Sequence, residues 1–394
     1  MHNRYNRTVH ACFLGYIVQA IVNNFAPLLF LTFHQTYGIP LSKITLLVTF
    51  NFLLQLVIDA ASVKFLDRIG YRAAAVLANA FSAAGLILLT VLPGVMRDPF
   101  AGLLISVAVF ALGGGLLEVV ISPIVEACPS DNKERAMSML HSFYCWGHVG
   151  VVLVSTLFFS IFGLNNWRVM ALCWALIPIV VSIMFTRVPI LTLLAEGERG
   201  MSLKELASTK IFWLMMLAML CSGASEQAVS QWASVLAEKG LGVSKALGDL
   251  TGPMFFAICM GLARLIYGKY GDRIPLKKFM LASCALCVFS YLLIGLVPSP
   301  VLGLIGCGLC GLSVGIFWPG TVSLASASLR RGGSALFCLL ALAGDMGCSA
   351  GPTVAGMISS AAGDNIRVGI LAAIFFPAAL MLCILSQRKA GSRE

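Results

Sequence analysis

The chain has 394 residues, of which 59% are hydrophobic and only 11% charged, with a formal net charge of +10. A soluble domain carries about 25% charged residues, so a water-soluble fold is excluded and lipid is the natural solvent. The basic residues sit in short gaps between apolar runs and never interleave with aromatics, which argues against nucleic acid as a partner.

In chain order the apolar runs predict spans at 9–33, 41–65, 73–92, 100–127, 134–162 and 168–187. A polar stretch follows at 188–209, and further spans at 210–237, 246–270, 278–297, 300–328, 333–362 and 366–387. Runs of about 20 residues suit helices, whereas barrel strands alternate over about ten. Only helices and closed barrels satisfy the backbone in hydrocarbon. The expectation is an all-α polytopic protein with twelve transmembrane helices. Only about eight polar residues precede the first run, which is too long for the apolar region of a signal peptide, so no cleavable leader is expected.

Lys and Arg set the orientation. With the N-terminus inside, twenty of them fall on the inner side and six on the outer (Lys43, Arg97, Arg168, Lys239, Lys245 and Arg367), with Arg264 inside a span. Both termini are therefore expected in the cytoplasm. The halves echo one another: Asp67-Arg68-Ile69-Gly70 returns as Asp272-Arg273-Ile274-Pro275, and Pro123, Arg135 and Ser138 return as Pro319, Arg331 and Ser334 with the same spacing. This predicts two pseudo-symmetric six-helix bundles, 1–187 and 210–394, joined by a cytoplasmic linker at 188–209. Duplicated halves are usual in secondary transporters, which bind substrate at the repeat interface near the bilayer midplane. Within the linker, Ser202-Leu203-Lys204-Glu205 has capping-box spacing and predicts a short amphipathic surface helix.

These features resemble the major facilitator superfamily over the whole chain. Its loop signature, Gly-x-x-x-Asp-Arg-x-Gly-Arg-Lys/Arg, is matched by Asp67, Arg68, Gly70 and Arg72, with Val63 and Tyr71 as departures. The second half matches at Gly268, Asp272, Arg273 and Lys277, with Pro275 replacing a glycine. The resemblance implies a gating role for these loops, with each aspartate latching onto the N-terminal end of a neighbouring helix. A narrower resemblance is to the fucose permease-like branch of sugar:proton symporters. It rests on Gly113-Gly114-Gly115-Leu116-Leu117-Glu118 leading to Pro123, and on Gly223-Ala224-Ser225-Glu226. Where that branch has an aspartate four residues before a first-span proline, this chain has Asn23 before Pro27. The fifth span, with Gly147 and Gly150, lacks the Gly-Pro signature of drug–proton antiporters, and the fourth span has no arginine. Both features favour uptake over drug efflux.

An ionisable group at the bilayer centre costs about 2.5–3.5 kcal/mol on insertion scales, so each one is a functional candidate. Glu118 and His141 lie on adjacent spans, each roughly 13 Å from the cytoplasmic end at 1.5 Å per residue. They are read as a pair that could share a proton, with Asp345 as a further proton candidate. Histidine changes charge nearest neutral pH. His148 lies two turns beyond His141 and could line the same pathway. Glu226, Gln227, Gln231 and Trp232 form a candidate hydroxyl-binding wall, and Gln19, Asn23, Asn24, Asn51, Gln55 and Tyr144 supply its counterpart. The structural alternative for the amides is helix–helix glue. Asp59 and Arg264 each lie eight residues before a loop aspartate and are gating candidates of opposite charge; Arg264 could instead snorkel to the surface.

Cys284-x-x-Cys287 and Cys307-x-x-Cys310 have zinc-like spacing, but residue counting puts the pairs on the order of 10 Å apart in depth, too far for one ion. No metal and no cofactor is expected. The resulting expectation is a monomeric secondary transporter of the cell membrane, taking up a small polar, sugar-like solute with protons by alternating access. Efflux or facilitated diffusion of another metabolite is the alternative within transport. A receptor or sensor on a transporter scaffold is the alternative outside it. No nucleophile–base set points to an enzyme.

Overall fold

The structure is a computed structural model that describes residues 2–39, 41–193, 200–233, 252–363 and 365–387, without the side chains of 2–4, 31, 41, 42, 44, 45 and 48. Outside the described residues lie the end of the seventh span, the start of the eighth with Asp249, and the outer-side Lys239 and Lys245. Arg199 in the linker and Arg388, Lys389 and Arg393 also lie outside them.

Among the described residues, ten helices are long and apolar enough to cross a membrane. One of these, inside the continuous helical stretch Leu41–Val95, holds two spans divided at Gly70, whose φ of 78° and ψ of 153° are not helical. Positive φ is freely open only to glycine, so this loop glycine is the hinge between the second and third spans. The eighth span, Pro253–Tyr270, has 18 residues and directly follows undescribed chain. With these two, twelve spans are placed among the described residues. Side chains such as Leu157, Ile161 and Leu382 are more than 60% exposed, as befits faces solvated by lipid.

Span starts are written locally. Asp98 accepts from the Phe100 amide and Pro99 follows it; Ser299 accepts from the Leu302 amide and Pro300 follows it. An oxygen-bearing cap with proline in the first turn satisfies amides that the helix cannot. The fourth span (Pro99–Ala127) and the tenth thus begin with the same device. The linker's capping-box spacing is realised in Leu203–Ser208, with both reciprocal hydrogen bonds present between Ser202 and Glu205.

Among the described residues, three predicted spans are broken. The first runs His2–Asn24, passes through a 3-10 turn at Ala26–Leu29 and resumes at Phe30–Tyr37. The tenth is Pro300–Val314 plus Phe317–Ser328, and the twelfth is Ile366–Ala372 plus Phe375–Ser386. A proline clashes with the carbonyl four residues earlier and offers it no N–H. For Pro319 that carbonyl is Gly315, and for Pro377 it is Ala373, the two positions where these helices stop.

The chain forms two compact units: 1–130 with 143–195, and 131–142 with 196–394. The fifth span, Lys133–Phe162, is one continuous helix whose first ten residues cluster with the second unit. In the first unit an apolar core gathers Phe25, Phe33, Phe110, Trp167 and Trp174. Trp174 donates its indole N–H to the Ser155 hydroxyl at 3.0 Å. In the second unit the linker is tied by the Met201 amide to the Arg331 carbonyl at 2.8 Å.

Candidate functional site

In the first unit, Gln19 and Asn23 lie one helical turn apart on the first span. Asn51, Gln55 and Asp59 follow the same spacing on the second, so each set shares a face. The two faces meet. Asn23 Oδ1 accepts from Gln55 Nε2 at 2.8 Å and from Asn51 Nδ2 at 3.4 Å. Gln19 Nε2 donates to Glu118 Oε2 at 2.8 Å. The glycine triplet before Glu118 permits this approach, since a Cβ on Gly114 would stand 3.4 Å from Gln55 Nε2 and 3.2 Å from Val22 Cγ1. Gln19 and Asn51 are 4% and 6% exposed. Their oxygens, Gln19 Oε1 and Asn51 Oδ1, are buried with no hydrogen-bond partner among the described residues. Tyr144 is half-buried and Asp59 fully buried. Asn24 departs from the expected wall, because its Nδ2 is turned back to the Ala20 carbonyl of its own helix at 2.9 Å.

In the second unit, Glu226 on the seventh span (Lys210–Ser230) is an ion-pair partner. Its Oε2 lies 3.3 Å from Arg264 Nη2, with the two side chains 13% and 4% exposed. Gln227 donates to Glu226 Oε1 at 3.4 Å, and Gln231 donates to Gln227 Oε1 at 3.2 Å. Trp232 gives its N–H to the Pro352 carbonyl at 3.4 Å. Asp345 is half-buried on the eleventh span, Gly333–Ala361.

Arg264 does not snorkel. Besides Glu226 it reaches the Gly315 carbonyl through Nε at 2.9 Å and the His141 carbonyl through Nη1 at 3.1 Å. A guanidinium donates in several fixed directions, and here it spends one on the carbonyl that Pro319 leaves without its helical donor. Sequence reading missed Gly315; the signal was a proline four residues later facing a span with a buried arginine. Of the residues read as a proton-sharing pair, Glu118 in the first unit has Gln19 as a neighbour, and His141 in the second has Arg264 at its backbone carbonyl. Spacing along two helices could not foresee that Arg264 would take the place between Glu226 and the fifth span.

The loop residues are placed as follows. Asp67 and Arg68 are exposed at the Gly70 turn. Arg72 donates to the Phe185 and Thr186 carbonyls, both at 2.9 Å, at the end of the sixth span, where a cation complements the helix dipole. Asp272 accepts from Arg135 Nη1 at 2.6 Å and from Asn132 Nδ2 at 3.0 Å. It therefore sits at the start of the fifth helix. Arg273 stands beside it in the turn after Tyr270.

Cys310 and Cys287 lie near enough to interact, closer than counting residues along the ninth and tenth spans placed the two pairs. Among the described residues, no group of three or more His, Cys, Asp or Glu could hold a metal ion.

The profile described as Major Facilitator Superfamily matches residues 11–352. The chain belongs to the major facilitator superfamily. Solved superfamily members share its fold. The E. coli fucose:proton symporter FucP is 18% identical with a TM-score of 0.82, covering 97% of this chain and 98% of its own. The proton:xylose symporter XylE, bound to 6-bromo-6-deoxy-D-glucose, is 11% identical with a TM-score of 0.79, covering 97% and 95%. The human organic anion transporter MFSD10 is 16% identical with a TM-score of 0.71, covering 96% and 99%. No curated protein matches in sequence. The chain is thus a multi-pass integral membrane protein of a transporter superfamily.

Proposed function

We propose that the chain is a secondary active transporter of the cell membrane that takes up a small polar, sugar-like solute together with protons by alternating access, with both termini in the cytoplasm. The observation that carries this reading is the polar cluster of the first unit. Glu118 is held by Gln19 beside an Asn23–Asn51–Gln55 network, and two buried amide oxygens have no hydrogen-bond partner among the described residues. A buried acceptor left unsatisfied is costly. Sugar hydroxyls both donate and accept, so a polyhydroxylated solute would satisfy these oxygens and offer acceptors back to the amide N–H groups.

Glu118 is the proton carrier in this reading. The first span presents neutral Asn23 at the position where the fucose permease-like branch has a carboxylate. Glu118 can gain or lose a proton while Gln19 stays in reach, so loading it alters the charge beside the amides without dismantling them. The driving force is sufficient. One charge crossing 100 mV releases about 2.3 kcal/mol, which sustains roughly a 50-fold gradient of a neutral solute at 1.4 kcal/mol per tenfold.

The test is uptake of radiolabelled hexoses, 6-deoxyhexoses, pentoses and polyols into proteoliposomes, with and without an acid-outside gradient. At least one solute is expected to accumulate only under the gradient. Glu118→Gln is expected to keep counterflow and lose gradient-driven accumulation. Accumulation indifferent to pH, or unchanged in Glu118→Gln, overturns proton coupling; no uptake of any of these solutes overturns the sugar-like substrate class.

A further inference from the structure

The first turns of the fifth span are fastened to the eighth span by a row of polar contacts within the second unit. Ser138 Oγ donates to the Arg264 carbonyl at 2.8 Å, and Arg264 Nη1 donates to the His141 carbonyl at 3.1 Å. One to two turns further along, Arg135 Nε donates to the Gly268 carbonyl at 2.6 Å and Tyr267 donates its hydroxyl to Glu134 Oε2 at 3.0 Å. Asp272 closes the row by pairing with Arg135 and Asn132. The backbones lie close because Gly268 has no side chain, and a Cβ there would stand 3.1–3.2 Å from three atoms of Met139. A seam made of hydrogen bonds over a glycine contact can part and be rehydrated, because water can replace each bond.

From this seam Arg264 also reaches Glu226 of the candidate site. Three of its acceptors come from three different helices: the Glu226 carboxylate on the seventh span, the Gly315 carbonyl at the break of the tenth, and the His141 carbonyl on the fifth. Of these three, the carboxylate is the charged one. Titratable groups facing this pair include His141 from the fifth span and Cys310 from the tenth. Glu226 is a counter-charge of a guanidinium that is almost wholly out of water. A buried cation whose partner is neutralised is strongly disfavoured and moves toward other solvation. Because the guanidinium is planar and its donors are fixed, it cannot swing toward a new partner and keep both carbonyls.

We propose that Arg264 is a positioning residue through which the charge on Glu226 sets the grip of the eighth span on residues 131–142. With Glu226 ionised, the guanidinium is held in the plane that reaches His141. With Glu226 neutralised, by a proton or by engagement with a solute, the innermost tie of the seam lets go and the outer ties follow. This deepens the transport reading and rests on it for its purpose, since it names a trigger for opening one side of the carrier. The coupling between Glu226 and the seam stands or falls independently of what is carried.

Hydrogen exchange read by mass spectrometry on the full chain in lipid nanodiscs tests it without any solute. Glu226→Gln is expected to raise exchange in residues 131–142 at least tenfold, while residues 203–208 of the linker helix stay as in wild type. Glu226→Asp is expected to restore protection to within a few-fold. If Glu226→Gln does not fold, Arg264→Lys carries the test. It keeps the charge for Glu226 but cannot reach three acceptors, so 131–142 is expected to exchange faster. Exchange in 131–142 unchanged in the folded variant overturns the proposal, as does an increase spread evenly over both units. Failure of wild-type uptake would count against the transport reading alone.

Discussion

Gln19 meets Glu118 through its amide nitrogen, and that choice of atom predicts how substitutions behave. In Glu118→Gln, Gln19 Nε2 still finds an oxygen at the same place, so stability is expected to change by less than about 1 kcal/mol. In Glu118→Ala, a buried donor is orphaned, and the loss expected is about 1–3 kcal/mol. Thermal unfolding of the purified variants in one detergent checks this contrast. The Arg264–Glu226 pair gives a second one. Removing either partner alone strands a buried charge and is expected to cost about 3–5 kcal/mol, whereas the double replacement Glu226→Gln with Arg264→Met is expected to cost less than the two single changes together. A double-mutant cycle measures the difference. The residue types were legible beforehand, because an ionisable group inside an apolar run stands out. Their partners were not. Arg264 and Glu226 are separated by 38 positions and lie on different helices, and periodicity says which face a side chain occupies without saying what another helix brings to it.

Among the helices, the informative disagreement between sequence and structure is the broken tenth span. Its apolar run continues through Gly315 and Ile316 without a polar residue, so run length reads it as one piece. The break belongs to Pro319, four residues downstream, and the freed carbonyl becomes a docking point for Arg264. Pro319→Ala would restore an N–H aimed at Gly315. The expected outcome is a melting temperature equal to or above wild type together with slower transport, measured as the maximal uptake rate. The linker helix gives a local test. Ser202→Ala removes one half of a capping box, a change worth about 1 kcal/mol, and is expected to raise hydrogen exchange over residues 203–208 several-fold while leaving the spans protected. Here the spacing in the sequence sufficed, because a capping box is settled within four residues. A helix break enforced by a proline needs the same local rule applied to a longer window.

For the molecule as a whole, hydrophobic run length and the repeated loop residues were enough to reach the superfamily fold, because lipid permits so few backbone arrangements. Orientation is the whole-molecule property still to be measured. A cysteine placed at Ser130, between the fourth and fifth spans, is expected to react with a membrane-impermeant maleimide only in permeabilised cells, and one placed at Asp98 in intact cells as well. The reverse pattern would invert the assignment made from Lys and Arg.

Such labelling is practical because of the chain's own thiols. None of the thirteen cysteines is joined in a disulfide, and ten of them are buried. Elsewhere a cell keeps thiols reduced by maintaining a reductant pool around them. For those ten, packing does the same by shielding, since neither a water-borne oxidant nor an alkylating probe reaches sulfur enclosed by helices. They should therefore stay reduced with and without dithiothreitol, whichever face of the membrane is the oxidising one.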